Sequence, residues 1–505
     1  MALIQLREQE AVITGVSREV IADIQKALRY RPTGYRYDPR YKYRRWDGYV
    51  RLFEDDTSFP VGLLHRVREI LKKHSVQHAV EWVDEPTEGA PIAVHLNPEI
   101  EERWYQIEAA KEATAKRMGV IRAPTGSGKT VIAARIIHDI GKYGLIVVPT
   151  LDLLYQTAEF LTWALQTEIG IVGGGEIRPK QVTVGTTKSV SKILNLKYQA
   201  YEFDDGDGVE DFDLDITGQQ KSLATWINKL GLLMFDECHV VGAATAYNIA
   251  NALSVRHKYG MSASPWRDDN ADLKIEAALG PIIYRVPTAI LVQEGFLVPP
   301  VIQRLSTMPE DGIGQEFSSW NKAYASCITQ NTYRNKLIAN KVNTLVKEGH
   351  QVLVLVKMLK HGEQLRKLID GAIFIAGSSP EKIQSYHTSE ERTNTLHGLR
   401  NGSIRCVIAT SIADMGIDVP SLSVLLLAGG GKSSTRHLQR IGRVCRPHPG
   451  KTCGLVIDLD DSWAHVKRSK SADGDVIEKP GWFANHVVLR RKIEKAEWGD
   501  VGYFI

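Results

Sequence analysis

One stretch, "VIRAPTGSGKTVIAARIIHDI" at 120–140, limits the fold more than any other. Residues 119–123 read as a strand, and 124–128 as a loop of small, turn-forming residues. From Lys129 onward apolar residues recur with helical period. Strand, loop and helix in that order form the repeating unit of a parallel α/β sheet. Ala123 to Thr130 also fits the spacing of a phosphate-binding loop, with Ala123 where the general pattern has its first glycine. In the loop Thr125, Gly126, Ser127 and Gly128, the glycines let backbone N–H groups close around a phosphate. Lys129 is expected to reach the β- and γ-phosphates of ATP, and Thr130 to place its hydroxyl on Mg²⁺.

The stretch "GLLMFDECHV" (231–240) supplies the complement. An apolar strand runs into Asp236 and Glu237, two carboxylates that repel each other unless a cation and its phosphate lie beside them. Asp236 is expected to hold Mg²⁺ through water, and Glu237 to orient and deprotonate the attacking water. His239 is expected to link this site to an interdomain cleft.

A second set lies in the C-terminal half. In "HLQRIGRVCRP" (437–447), Gln439, Gly442, Arg443 and Arg446 fall three or four apart, which predicts one helical face. Arginines aimed at a transferring phosphoryl group are worth about 10³–10⁵ in rate. In "VIATSIADMGIDVP" (407–420), Asp418 is a candidate ribose contact and Gly416 permits close backbone approach. Both halves alternate apolar strands with helical stretches. This predicts an α/β fold with two parallel-sheet domains in tandem, ATP between them and a hinge near 286–305.

Together these stretches resemble the DEAD/DEAH-box helicases and translocases of superfamily two, over roughly residues 100–465, which implies that both domains are RecA-like. "RWYQIEA" (103–109) resembles the adenine-reading Q motif, with Gln106 as the amide and Trp104 or Tyr105 as stacking candidates. Residues 145–156, 182–190, 261–267 and 351–365 resemble motifs Ia, Ib, III and IV, and 374–380 resembles the segment after motif IV. The resemblance implies that Thr150, Thr186, Thr187, Lys188, Lys357, Gly377, Thr410 and Ser411 grip a nucleic-acid backbone. It implies coupling roles for Ser262 and Ser264 beside His239. Hydroxyls and amides suit phosphates and read no bases.

Outside that core, residues 31–53, "RPTGYRYDPRYKYRRWDGYVRLF", interleave arginines with tyrosines and a tryptophan. Such cations bind phosphates while the rings can stack on exposed bases, with Arg40, Arg44, Arg45 and Trp46 the leading candidates. Flanking strand and helix patterns predict a small α+β domain over 1–90. The segment also resembles the N-terminal domain of the UvsW-type helicases of tailed phages, which implies branched or forked DNA, and RNA–DNA hybrids, as substrates. A duplex translocase subunit of a restriction or transcription-repair system, an RNA helicase and an ATP-dependent switch stay open as alternatives.

The remaining domains are expected at 91–290, 291–465 and, as an extension, 466–505. Five scattered cysteines without a close pair argue against a zinc site or a disulfide framework. The cysteine pattern fits a reducing cytoplasm, no segment has the apolar length to cross a bilayer, and a monomer is favoured with the oligomeric state left open. Eight acids in 201–218 suggest a hairpin or solvated loop that does not touch phosphates.

Overall fold

The computed structural model describes residues 1–55, 57–196, 218–239, 244–263, 272–309, 314–376, 389–410, 419–431, 434–470, 476–499 and 501–505. The acidic residues 201–217 and the candidates Ser264, Gly377, Ser411, Gly416 and Asp418 lie outside them. Short loop segments aside, the chain divides into two units between Val286 and Pro287.

The first unit contains two sheets. The smaller has the order Ser58–Pro60, Glu10–Thr14, Ala2–Arg7, His78–Trp82. Along Ala2–Arg7, alternate residues Ala2, Ile4 and Leu6 are buried, the period of a half-buried strand. Helices Arg18–Ala27 and Leu64–Lys73 bury Ile24, Val67 and Leu71 in the same core. The Ser17 hydroxyl caps the first of these helices by accepting from the Val20 N–H.

The larger sheet has eight strands. Their order is Glu176–Arg178, Gly170–Gly173, Val182–Thr186, Gly144–Val148, Leu232–Asp236, His257–Ser262, Met118–Arg122, Ile282–Arg285. Only the first pair is antiparallel. Gly144–Val148 is buried at every position, as a central strand covered on both faces must be. The strand that ends at Asp236 is near the middle, and the strand before the phosphate loop lies next to the edge strand Ile282–Arg285, with His257–Ser262 between the two. Their C-terminal ends therefore open on the same edge, where parallel sheets carry their sites.

The two sheets share one core. Leu273 and Ala277, on the helix Asp272–Leu279 of the larger layer, are buried among Leu63, Val67 and Phe59 of the small domain. A Cβ on Gly62 would lie 2.1 Å from the Glu276 carbonyl oxygen, so only glycine allows this approach. Arg66 makes a two-pronged ion pair with Glu276 at 2.5 and 2.7 Å. At the tip of the first hairpin, Gln9 donates to the Leu253 carbonyl at 2.6 Å and accepts from the buried Lys258 ammonium.

The second unit carries a seven-stranded parallel sheet. Its order is Ile373–Ile375, Cys406–Ala409, Val352–Leu355, Val424–Leu427, Gly454–Asp460, Pro300–Ser306, Tyr503–Phe504. The segment expected as a separate extension therefore supplies this sheet's edge strand and the helix Trp482–Trp498. Within the expected hinge, residues 288–293 are helical and 300–306 form a strand next to that edge.

Candidate nucleotide site and nucleic-acid surface

The helix Lys129–Ile140 starts directly after Gly128, which has φ 78°, a left-handed conformation that glycine adopts without a Cβ penalty. Gly126 is left-handed as well. A Cβ on Gly128 would sit 2.4 Å from Nε2 of Gln106, so the glutamine amide lies against the loop. Gln106 is fixed there because its Oε1 accepts from the Arg103 N–H at the helix start. The structure separates the two stacking candidates. Tyr105 is fully buried, with its hydroxyl bonded to Arg103 at 2.9 Å, whereas Trp104 is 43% exposed.

Asp236 ends its strand, and Glu237 takes the left-handed conformation at φ 52°. A non-glycine residue held there stores roughly 1–3 kcal/mol, a strain that clusters at functional sites. The turn brings one Glu237 carboxylate oxygen to 3.3 Å from the Lys129 ammonium. Its other oxygen accepts from the Ser262 hydroxyl at 3.3 Å and lies 3.5 Å from Nδ1 of His239. His239 and Ser262 are themselves 3.3 Å apart. Lys129, Glu237, His239 and Ser262 thus form one connected set on the first sheet's C-terminal edge.

The two carboxyls differ. Burial, and then the Glu237 charge, push Asp236 up to about 6. Burial also opposes charge on Glu237, but the Lys129 ammonium and His239 outweigh it and hold that carboxyl well below the usual range. The raised Asp236 marks a spot short of positive charge, which a divalent cation would relieve. This donor set fits Mg²⁺ with a nucleotide: Asp236 and the Thr130 hydroxyl would hold the ion, and its charge would stabilise the phosphates.

The second unit carries helix Ser434–Val444, where Gln439 and Arg443 are both buried. Arg446 departs from expectation. The helix ends at Val444, so Arg446 follows it in a bend and not on the helix that carries Gln439 and Arg443.

The expected backbone-gripping residues fall into two groups. The Thr150 and Thr186 hydroxyls cap helices, accepting from Leu153 and Ser189, and Thr187 donates to the Val148 carbonyl. Thr186, Thr187 and Thr410 are buried, whereas Lys188 and Lys357 are exposed.

In 31–51 the arginines, tyrosines and Trp46 brace one another, while Phe53 after them is part of the domain's core. Arg29 and Arg31 each lie 4.2 Å from the centre of the Tyr49 ring, and Tyr35 packs edge-on against Tyr41. Trp46 donates to the Tyr49 carbonyl at 2.7 Å, and Arg40 pairs with Asp38 at 2.8 Å. What this framework presents is Tyr37, 80% exposed, and Tyr43, 74% exposed. Beside them Arg44 and Arg45 are exposed and make no ion pair among the described residues. Sequence spacing could not separate these four from the braced residues, because bracing depends on how the short turns fold.

Three family descriptions match successive parts of the chain: "DNA helicase UvsW, N-terminal" at residues 4–81, "Type III restriction enzyme, res subunit" at 99–267, and "Helicase conserved C-terminal domain" at 335–448. The ATP-dependent DNA helicase uvsW of Enterobacteria phage T4 is 28% identical over 479 residues, covering 87% of this chain and 86% of that protein. The DNA 3'-5' translocase XPB2 of Sulfurisphaera tokodaii is 25% identical over 423 residues, covering 78% of this chain and 89% of that one. In fold, the chain resembles the ATP-dependent Type ISP restriction-modification enzyme LlaBIII bound to DNA. That likeness has a TM-score of 0.50 at 12% identity and covers 86% of this chain and 32% of the other. With its small N-terminal domain ahead of two helicase domains, the chain is similar throughout to the UvsW-type superfamily-two helicases.

Proposed function

We propose that the protein is an ATP-hydrolysing DNA helicase that remodels branched DNA. The observation that carries the chemistry is the contact of Glu237 with both Lys129 and Ser262. One oxygen faces the phosphate-loop lysine, and the other faces the strand end that leads to the rest of the motor. In this reading Glu237, kept ionised, accepts a proton from the attacking water. Lys129 and the loop N–H groups hold the phosphates, and Gln106 reads the adenine edge. Arg443 meets charge that develops in the transition state, which lowers the barrier without tightening ground-state binding.

The branched-DNA reading rests on the N-terminal surface. Tyr37 and Tyr43 suit unstacked bases, and Arg44 and Arg45 suit phosphates, a combination that favours single-stranded segments at a branch point. Because this domain shares a core with the first motor sheet, any DNA it holds moves with that sheet. The test is ATP turnover measured with single-stranded, duplex, forked and four-way DNA and with RNA of matched length. The proposal expects stimulation by DNA, strongest with forked and four-way substrates. Equal stimulation by RNA, or by unbranched duplex alone, would favour the RNA-helicase or duplex-translocase alternative.

A further inference from the structure

The second unit contains a set of buried charges that lies largely outside the helicase motifs. Glu494 is fully buried on helix Trp482–Trp498, where it accepts from Nε2 of His437 at 2.6 Å and from Arg304. Arg490, one turn earlier and also buried, donates to Asp458 at 2.9 Å, to the Leu459 carbonyl at 3.1 Å and to the Gly431 carbonyl at 3.2 Å. Arg304 completes the set by pairing with Asp458. Two acids thus face two arginines and a histidine, all of them buried except Arg304, which is partly exposed.

The partners of this set are informative. Gly431 lies in the connection between strand Val424–Leu427 and helix Ser434–Val444, and His437 lies on that helix. The same connection is held at two further carbonyls. Buried Arg334 donates to Ala428 at 2.8 Å, and the Tyr324 hydroxyl donates to Gly429 at 2.6 Å. Arg334 is fixed in turn by Asp461, at 2.8 and 3.0 Å. Three of the four residues 428–431 therefore accept a bond from a side chain of a different helix.

Buried ion pairs are a poor route to stability, because desolvation offsets most of the attraction. They do fix relative position, since a small displacement leaves several charges unpaired at once. Arg443 requires such positioning, because misplacing a transition-state group by about 1 Å can cost on the order of 100-fold in rate.

We infer that Glu494 and Arg490 are positioning residues: through His437 and the Gly431 carbonyl they hold helix Ser434–Val444 so that Arg443 is aimed for hydrolysis. The inference rests on the proposed role of Arg443.

The test compares Glu494→Gln and Arg490→Lys with Arg443→Ala and the parent protein. Glu494→Gln keeps the shape and removes the charge. Arg490→Lys keeps the charge but cannot reach a carboxylate and two carbonyls together. The expected result is a kcat at least about tenfold lower, with KM for ATP changed less than about twofold and the folded circular-dichroism spectrum retained. If Glu494→Gln does not fold, His437→Ala, which leaves Glu494 paired with Arg304, is read in its place. Full turnover in these folded variants beside an inactive Arg443→Ala overturns the inference alone. Full turnover in Arg443→Ala overturns it together with the role of Arg443. A parallel fall in kcat and ATP affinity also contradicts it, because that pattern marks a damaged fold.

Discussion

The Lys129 ammonium lies 3.3 Å from a carboxylate oxygen of Glu237, although the two residues are 108 positions apart. The contact exists because the strands that precede them end on the same sheet edge. It has a direct consequence for substitution. Glu237→Gln keeps the bond to Ser262 but loses the charge that accepts a proton. Turnover should fall by at least about 100-fold, while ATP binding with magnesium survives through Asp236, Thr130 and Lys129. Fluorescent-nucleotide titration beside steady-state turnover checks this, and near-normal turnover would remove Glu237 as the general base.

Trp104 and Tyr105 make a second contrast. Of the two only Trp104 is exposed, so Trp104→Ala should raise KM for ATP about three- to tenfold, the range expected for one lost stacking contact. Tyr105→Ala should instead lower the melting temperature, since it empties a fully buried site. A nucleotide affinity unchanged in Trp104→Ala places the adenine elsewhere.

The docking of the N-terminal domain predicts a pH signature. Burial lowers the Lys258 ammonium to about 7, against an ordinary value of 10.5. Between those values the unfolded chain binds the proton and the folded one does not. Stability therefore rises with pH across that window, by a few kcal/mol at most. Lys258→Met removes the titrating group. The stability difference, parent minus variant, should grow from pH 7 to pH 9.5 in urea unfolding. A difference independent of pH would mean that the lysine stays charged in the fold.

Much of this was legible in the sequence because it is local. The strand–loop–helix at 118–140 and the strand ending at Asp236 follow from period and turn chemistry within about 20 residues. The small α+β domain followed from the alternation in Ala2–Arg7 and the two amphipathic helices. What was not legible depends on contacts between distant positions. Nothing near Glu494 indicates that it meets Arg304 and His437, because each is a common polar residue in an ordinary helical or strand pattern. Spacing of three and four predicts Arg446 on the Gln439 face. Spacing does not say where a helix stops, and this one stops at Val444.

Whether a motor on two largely parallel sheets drives branched DNA presented by the N-terminal surface is decided by one paired measurement. Parent protein and Tyr37→Ala/Tyr43→Ala/Arg44→Ala/Arg45→Ala are compared for ATP-driven unwinding of a four-way junction and for turnover on saturating single-stranded DNA. All four side chains are exposed and lie outside the domain's core, so folding should be unaffected. The account predicts that the parent unwinds the junction only with hydrolysable ATP. The variant should lose junction unwinding by about tenfold or more while keeping most single-strand-stimulated turnover, with a shallower salt dependence of junction binding. Junction unwinding at the parent rate in the variant, or an equal loss of both activities, would contradict it.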